Sequence, residues 1–402
     1  MIPGEPTPAF ELGRRIEAFQ ARMAAAGIDG ALILQKADLF YLSGTVQDGM
    51  LYVPSDGSPL LLVRKSLDRA RRESALSHIL PLAGSGDLPR QLQAHDLPLP
   101  VTLGLEMDVL PAGLFQGFQR RFPDAKMVDV SGLLRTLRAV KSDYELARLR
   151  EAGRLADHVL AGVADRIEPG ITEVALAGRI ESLARELGHP GLVRMRRWGS
   201  EIFYGHLMAG ETAAQPSFLA SPTGGAGTGP AVPQSAGLRP IAPAEPILVD
   251  YVFVFDGYIA DQTRIFVIGD PPEDLVAAHE AMRAVQALLQ SAARPGAVAG
   301  DLYEMAVAEA ERLGYGAHFM GAGADRISFV GHGVGLELDE FPFIAKGQKT
   351  ALEAGMVIAL EPKQILPGRG VVGIENTHVV GPEGLTPLTT FPEEMIRVRD
   401  GR

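Results

Sequence analysis

Leu12, Ile16, Phe19, Met23 and Ala26 recur three to four positions apart, and this spacing predicts an amphipathic helix over 11–29. The apolar run 31–34 reads as a buried strand. Two more strands, 51–53 and 60–63, flank the turn Pro54-Ser55-Asp56-Gly57. Helical stretches near 66–76 and 112–121 then alternate with strands near 78–82, 101–105 and 126–129. The alternation predicts an α/β domain over about the first 135 residues.

Ser142-Asp143-Tyr144-Glu145 has the form of a capping box, in which serine and glutamate satisfy each other's backbone amides. A long helix through Leu146, Leu149, Ala152, Leu155, Ala156 and Val159 should follow. The domain boundary is placed just before it, giving domains 1–138 and 139–402.

The second part repeats itself. Pro169-Gly170 precedes a helical stretch ending at Gly188, and Pro295-Gly296 precedes one ending at Gly314. Each spans 18 positions from glycine to glycine. A strand pair follows in each half, 247–255 with 258–268 and 356–361 with 371–380. The expectation is an α+β fold of two helix–hairpin units related by a pseudo-two-fold axis, behind a smaller α/β domain. The Gly- and Pro-rich stretch 221–246 reads either as a surface loop or as the rim of a site.

Composition narrows the chemistry. The 402 residues allow two or three domains, and 46% apolar content allows a core in each. A net charge of −11 argues against nucleic acid and against an anionic membrane surface as partners. The absence of cysteine removes thiolate nucleophiles and Cys-based metal sites, so any metal must rest on carboxylate and imidazole. Met1-Ile2-Pro3-Gly4-Glu5 lacks the basic and apolar regions of a secretory leader, and no run of about 18 apolar residues occurs. A cytoplasmic location is the default expectation.

Four carboxylates interrupt apolar strands. Asp250 closes 247–249, and Asp261 follows Tyr258-Ile259-Ala260. A two-residue Asp256-Gly257 turn places Asp261 opposite Val252 and on the face of Asp250, roughly 7–8 Å away along the diagonal. Glu361 ends 357–360 and Glu375 ends 371–374, with the pairing left open because Pro362 interrupts the ladder. Four acids on core strands repel one another and are costly to desolvate. Lysine and arginine look scarce in these strands, so a pair of metal ions is the expected compensation. His332, between glycines in Gly331-His332-Gly333-Val334-Gly335, fits as a nitrogen ligand that an ion or substrate approaches closely.

The set Asp250, Asp261, His332, Glu361 and Glu375 resembles the metal-binding signature of the pita-bread superfamily, which includes aminopeptidase P, prolidase, methionine aminopeptidase and creatinase. The motifs around Asp261-Gln262-Thr263-Arg264, Gly331-His332-Gly333-Val334-Gly335-Leu336-Glu337 and Met356 to Glu361-Pro362 match in order and spacing. Tyr41-Leu42-Ser43-Gly44 resembles the lead domain of creatinase and prolidase. The resemblance implies a pita-bread catalytic domain behind a creatinase-like N-terminal domain. It implies two divalent ions (manganese favoured over cobalt, zinc or iron) holding a bridging hydroxide. Glu361 would act as general base in cleaving a peptide bond, with proline after it as one option. Homodimers are common among such proteins.

Some expected residues differ. Asp339 stands where a histidine is usual, no histidine lies 17–18 positions before Asp250, and Gly373 replaces an arginine. These changes keep open a C–N hydrolase or lyase acting on a small amide or amidine, as in creatinase or ectoine hydrolase. Asp339, His206 and Arg197 are the candidate substrate contacts; at least two of Arg194, Arg196 and Arg197 are expected in solvent. Asp339 could equally make a structural bond, and His206 could be an exposed loop residue. The single Trp198 is assigned to core packing, and His378 is a marginal candidate for the surroundings of Glu375.

Overall fold

The structure, a computed structural model, describes residues 4–202 and 204–399. Met1, Ile2, Pro3 and Phe203 therefore lie outside the described residues. The chain divides into two compact units. Met1–Arg138 and Arg196–Trp198 form one, and Ala139–Met195 with Gly199–Arg402 the other. Among the described residues no helix is long and apolar enough to cross a membrane.

The first unit is a six-stranded sheet with helices. Its strands are β1 (Gly30–Ile33), β2 (Gly49–Pro54), β3 (Leu60–Val63), β4 (Ile79–Pro81), β5 (Thr102–Leu105) and β6 (Lys126–Asp129), in the order β4-β3-β2-β1-β5-β6. Helix α1 (Ala9–Ala25) buries Leu12, Ile16, Phe19 and Met23, as their spacing predicts. Tyr41-Leu42-Ser43 belongs to α2 (Lys36–Ser43), a helix the sequence reading missed; Gly44 ends it in the left-handed conformation that suits glycine. Helices α3 (Leu67–Glu73), α4 (Leu88–Ala94), α5 (Ala112–Arg121) and α6 (Ser131–Ala139) complete the series.

A buried ion network holds this unit. Arg138 and Arg196 each bond one oxygen of Asp38 at 2.6 Å, and Arg196 also reaches Asp108 at 2.6 Å. Burial raises the Asp38 carboxyl, but the two guanidinium groups outweigh it and hold the value down to about 2. Neighbouring Glu106 is pushed well above the carboxylate range by burial and by Asp38. Two expectations are corrected here. Of Arg194, Arg196 and Arg197 only Arg197 is exposed, since Arg196 is committed to Asp38 and Asp108. Trp198 is 92% exposed and does not pack in a core.

In the second unit α7 (Asp143–Ala161) starts with the predicted capping box, both reciprocal bonds present. It pairs with α8 (Glu173–Glu186) against a sheet of β7 (Gly205–Ala209), β8 (Ile247–Phe255) and β9 (Tyr258–Ile268), with β17 (Ile396–Val398) at its edge. Leu155, Val159, Leu176 and Ile180 meet Val249, Phe253 and Phe266 in one apolar core. Helices α9 (Glu273–Ala292) and α10 (Ala299–Arg312) repeat the arrangement. Met282, Val285, Leu302 and Ala306 pack on the sheet of β10 (Phe329–Gly333), β11 (Glu340–Ala345), β12 (Val357–Leu360), β15 (Asn376–Gly381) and β16 (Gly384–Pro387).

The second strand pair departs from a plain hairpin. Between β12 and β15 the chain leaves the sheet and forms its own two-stranded ribbon, β13 (Lys363–Leu366) with β14 (Gly370–Gly373). Pro362, with no amide hydrogen to donate, stands at the first break. Glu361 and Glu375 therefore sit at the two junctions between sheet and ribbon, which strand pairing alone could not place.

Candidate metal centre

The β8–β9 hairpin has the predicted register. Val252 faces Asp261, Asp250 faces Thr263, and Asp256 and Gly257 both take positive φ, 49° and 86°, as a two-residue turn of matching twist requires. The halves are stitched together beside it. Thr263 pairs with Glu375 through an isolated bridge, and its hydroxyl donates to Glu375 Oε2 at 2.9 Å. The Thr377 hydroxyl accepts from the Asp261 amide and donates to the Asp261 carbonyl, at 2.9 and 2.8 Å. The buried Arg264 guanidinium donates to the Glu375 carbonyl at 2.9 Å and to Asn376 Oδ1 at 2.8 Å.

Asp250, Asp261, His332, Glu361 and Glu375 converge. The ring Nε2 of His332 lies 3.9 Å from Asp261 Oδ2, 3.7 Å from Glu361 Oε1 and 3.6 Å from Glu375 Oε1. Ligands about 2.1 Å from one ion stand roughly 3–4 Å from one another. Asp261, His332 and Glu375 together meet the spacing of a cation site. Among the described residues, Asp261 Oδ1 and Glu375 Oε1 are buried without a hydrogen-bond partner. Unsatisfied buried carboxylate oxygens are costly, and a hard cation would satisfy both.

The glycines around His332 serve the sheet. A Cβ at Gly331 would lie 2.4 Å from the Ala359 carbonyl, and one at Gly333 would lie 2.3 Å from that of Phe341. Close approach of neighbouring strands accounts for them.

One participant was missed. Lysine is not scarce at this site, because Lys363 Nζ sits among the acids, 3.0 Å from Asp250 Oδ2, 2.8 Å from Glu361 Oε2 and 3.1 Å from Glu375 Oε2. Its side chain is 1% exposed. Period-two parity from Glu361 puts Lys363 on the same side, a signal the sequence offered. Its cross-strand partner is Gly373, the position where the resemblance expects arginine. A Cβ there would come 2.5 Å from the Pro362 carbonyl oxygen and 2.8 Å from Lys363 Cα, so the ribbon backbone leaves no room for a side chain at 373.

The charges remain unbalanced at one end. Burial drives the Asp261 carboxyl well above its ordinary range, helped by Glu375 and Asp250. Burial likewise pushes Asp250 up to about 6 and Glu361 up to about 7, against the pull of Lys363. Glu375 goes the other way, to about 2, because Lys363 and His332 together outweigh its burial. Burial opposes a charge on His332, but Asp339, Glu375 and Glu361 outweigh it and hold the ring well above its usual value. The shortage of positive charge therefore falls on Asp261, beside His332.

Two of the other candidates, Asp339 and His206, adjoin the cluster. Asp339, in the left-handed region at φ 63°, places Oδ1 3.5 Å from His332 Nδ1. Glu340 holds that loop, accepting from the amides of Leu336 and Glu337 at 2.8 and 3.0 Å and pairing with Lys141 at 3.2 Å. His206 is buried on β7 directly opposite Asp250, so it is not an exposed loop residue. Its Nδ1 lies 3.3 Å from the Thr223 hydroxyl, and burial lowers it to about 4. Arg197 is exposed and belongs to the first unit. His378 points to α9, where Gln290 bonds its Nε2 at 2.8 Å.

Comparison with known proteins agrees with this geometry. Residues 147–382 match the model of metallopeptidase family M24, and residues 15–140 match that of the creatinase/prolidase N-terminal domain. An uncharacterized peptidase, YqhT, of Bacillus subtilis is 24% identical over 306 residues, 76% of this chain and 79% of the relative. An Xaa-Pro dipeptidase of Lactobacillus helveticus is 30% identical over 220 residues, 54% of this chain and 53% of that protein. Among solved structures, the dipeptidase PepE of Mycobacterium ulcerans superposes with a TM-score of 0.80 at 26% identity, covering 98% of this chain and 100% of that one. The Xaa-Pro dipeptidase of Bacillus anthracis gives 0.82 at 24% identity, covering 96% and 99%.

Proposed function

Because the chain belongs to metallopeptidase family M24, we propose that it is a metal-dependent hydrolase of short peptides, with Xaa-Pro dipeptides as the first substrate class to test. The observation that carries this reading is the pair of unpartnered buried oxygens, Asp261 Oδ1 and Glu375 Oε1, beside His332 Nε2. Asp261, His332 and Glu375 would hold a divalent ion, with Glu361 beside them; carboxylate and imidazole donors suit manganese, cobalt, zinc or iron, and manganese is the preferred first choice. Such an ion, when bound, polarises a carbonyl and acidifies water.

The chain's own residues supply the rest. Glu361, raised to about 7 by burial, can take a proton from water near neutral pH and return it to the leaving nitrogen. The Gly333 carbonyl, 3.1 Å from His332 Nδ1, fixes the ring, with Asp339 Oδ1 beside it at 3.5 Å, leaving Nε2 toward the acids. Thr263, Thr377 and Arg264 fix Glu375 and the Asp261 backbone, so the acids stay close without collapsing. The relatives carry peptidase names, which favours a peptide over the small amide or amidine raised by the sequence. A homodimer remains part of the proposal through the resemblance alone.

The test is direct. Protein purified with manganese or cobalt is assayed against Xaa-Pro dipeptides and tripeptides. Turnover that stops on chelation is expected; bound metal with no turnover of any peptide would overturn the peptidase reading.

A further inference from the structure

We propose that the Lys363 ammonium acts as a built-in cation in place of a second metal ion, so that each chain takes one divalent ion, at Asp261, His332 and Glu375. The inference rests on the metal-site reading above and refines its stoichiometry.

The cluster divides into two halves. An ammonium has three N–H donors, and Lys363 faces three carboxylate oxygens, Asp250 Oδ2, Glu361 Oε2 and Glu375 Oε2, at 2.8–3.1 Å. That half is saturated. A second ion would need the same oxygens, a few ångströms from a positive charge that cannot turn away to water, because the side chain is 1% exposed. Gly373 leaves room for its stem, since a Cβ there would come 3.0 Å from Lys363 Cγ.

The other half is unspent. Asp261 Oδ1 and Glu375 Oε1 have no hydrogen-bond partner among the described residues, and His332 Nε2 faces them. Glu375 thus gives one oxygen to each half, Oε2 to the lysine and Oε1 to the open side. The compensation that a pair of ions would supply is divided between a fixed lysine and one exchangeable ion. A fixed charge cannot bridge a carbonyl or carry water, so Lewis acidity is confined to the His332 side.

Metal content after dialysis, by plasma mass spectrometry, and calorimetric titration of the chelated protein with Mn2+ test the inference. One ion per wild-type chain is expected, with the EPR spectrum of an isolated Mn2+. Removing the ammonium in Lys363→Gly should raise the number to two and give a spin-coupled spectrum; Lys363→Met serves if the glycine variant does not fold. Two ions in the wild type overturn the role of Lys363 while leaving the metal site intact. A stoichiometry of one in a folded Lys363→Gly overturns it too. No ion at all overturns the metal-site reading itself, and the inference with it.

Discussion

At the residue scale, function and stability rest on buried charges whose partners are named. Glu361→Gln keeps the shape but removes the base; kcat/KM on a cleaved dipeptide should fall at least about 100-fold. A loss of only a few-fold in steady-state assays would remove Glu361 from that role. In the first unit, Arg196→Ala leaves Asp38 with one of its two guanidinium partners, and breaking a buried pair costs about 3–5 kcal/mol. Urea titration checks both that loss and the exposed Arg197→Ala, which should change stability by no more than about 0.5 kcal/mol. His378 provides a pH-dependent test. Burial lowers its folded value to about 4, below the ordinary 6.5, so the stability it contributes is present above about 6.5 and lost as pH falls toward 4. Relative to His378→Gln, the wild type should lose up to about 3 kcal/mol between pH 7.5 and 4. A pH-independent difference in urea unfolding would contradict a neutral buried ring.

At the element scale, the two carboxylate-bearing strand pairs show what sequence does and does not encode. The β8–β9 hairpin was legible because a two-residue turn fixes register, and register fixes the face of every side chain. Asp250 and Asp261 followed from that. Glu361 and Glu375 were recognisable as acids ending apolar runs, but their geometry was not, because both lie where the chain leaves one sheet for another. Lys363 was lost at the same break, since a lysine opening a strand usually marks a solvated edge. Helix α2 escaped for a different reason: its eight residues are too few to show a clear period. The ribbon carries its own prediction. Gly373→Ala drives a methyl into Pro362 and Lys363 and should destabilise the second unit by about 1–3 kcal/mol. Gly132→Ala, with open space around it in α6, should be neutral or slightly stabilising. Equal urea midpoints for the two variants would refute the close contact at 373.

At the scale of the molecule, the second unit draws its site from both of its halves. Asp250 and Asp261 come from the α7–α8 half, and His332, Glu361 and Glu375 from the α9–α10 half. Bridges through Thr263 and Thr377 join them. An ion at this seam should therefore stabilise the unit as a whole; at a hundred times its dissociation constant the gain is about 2.7 kcal/mol. Calorimetry should show the second unit's transition moving down on chelation and returning with Mn2+, and an unchanged transition would deny the coupling. The most direct measurement of the central claim is anomalous diffraction from crystals grown with manganese. A single anomalous peak within ligand distance of Asp261, His332 and Glu375 is expected, with Lys363 Nζ still among Asp250, Glu361 and Glu375. Two peaks, or one peak in the place of the lysine nitrogen, would contradict it.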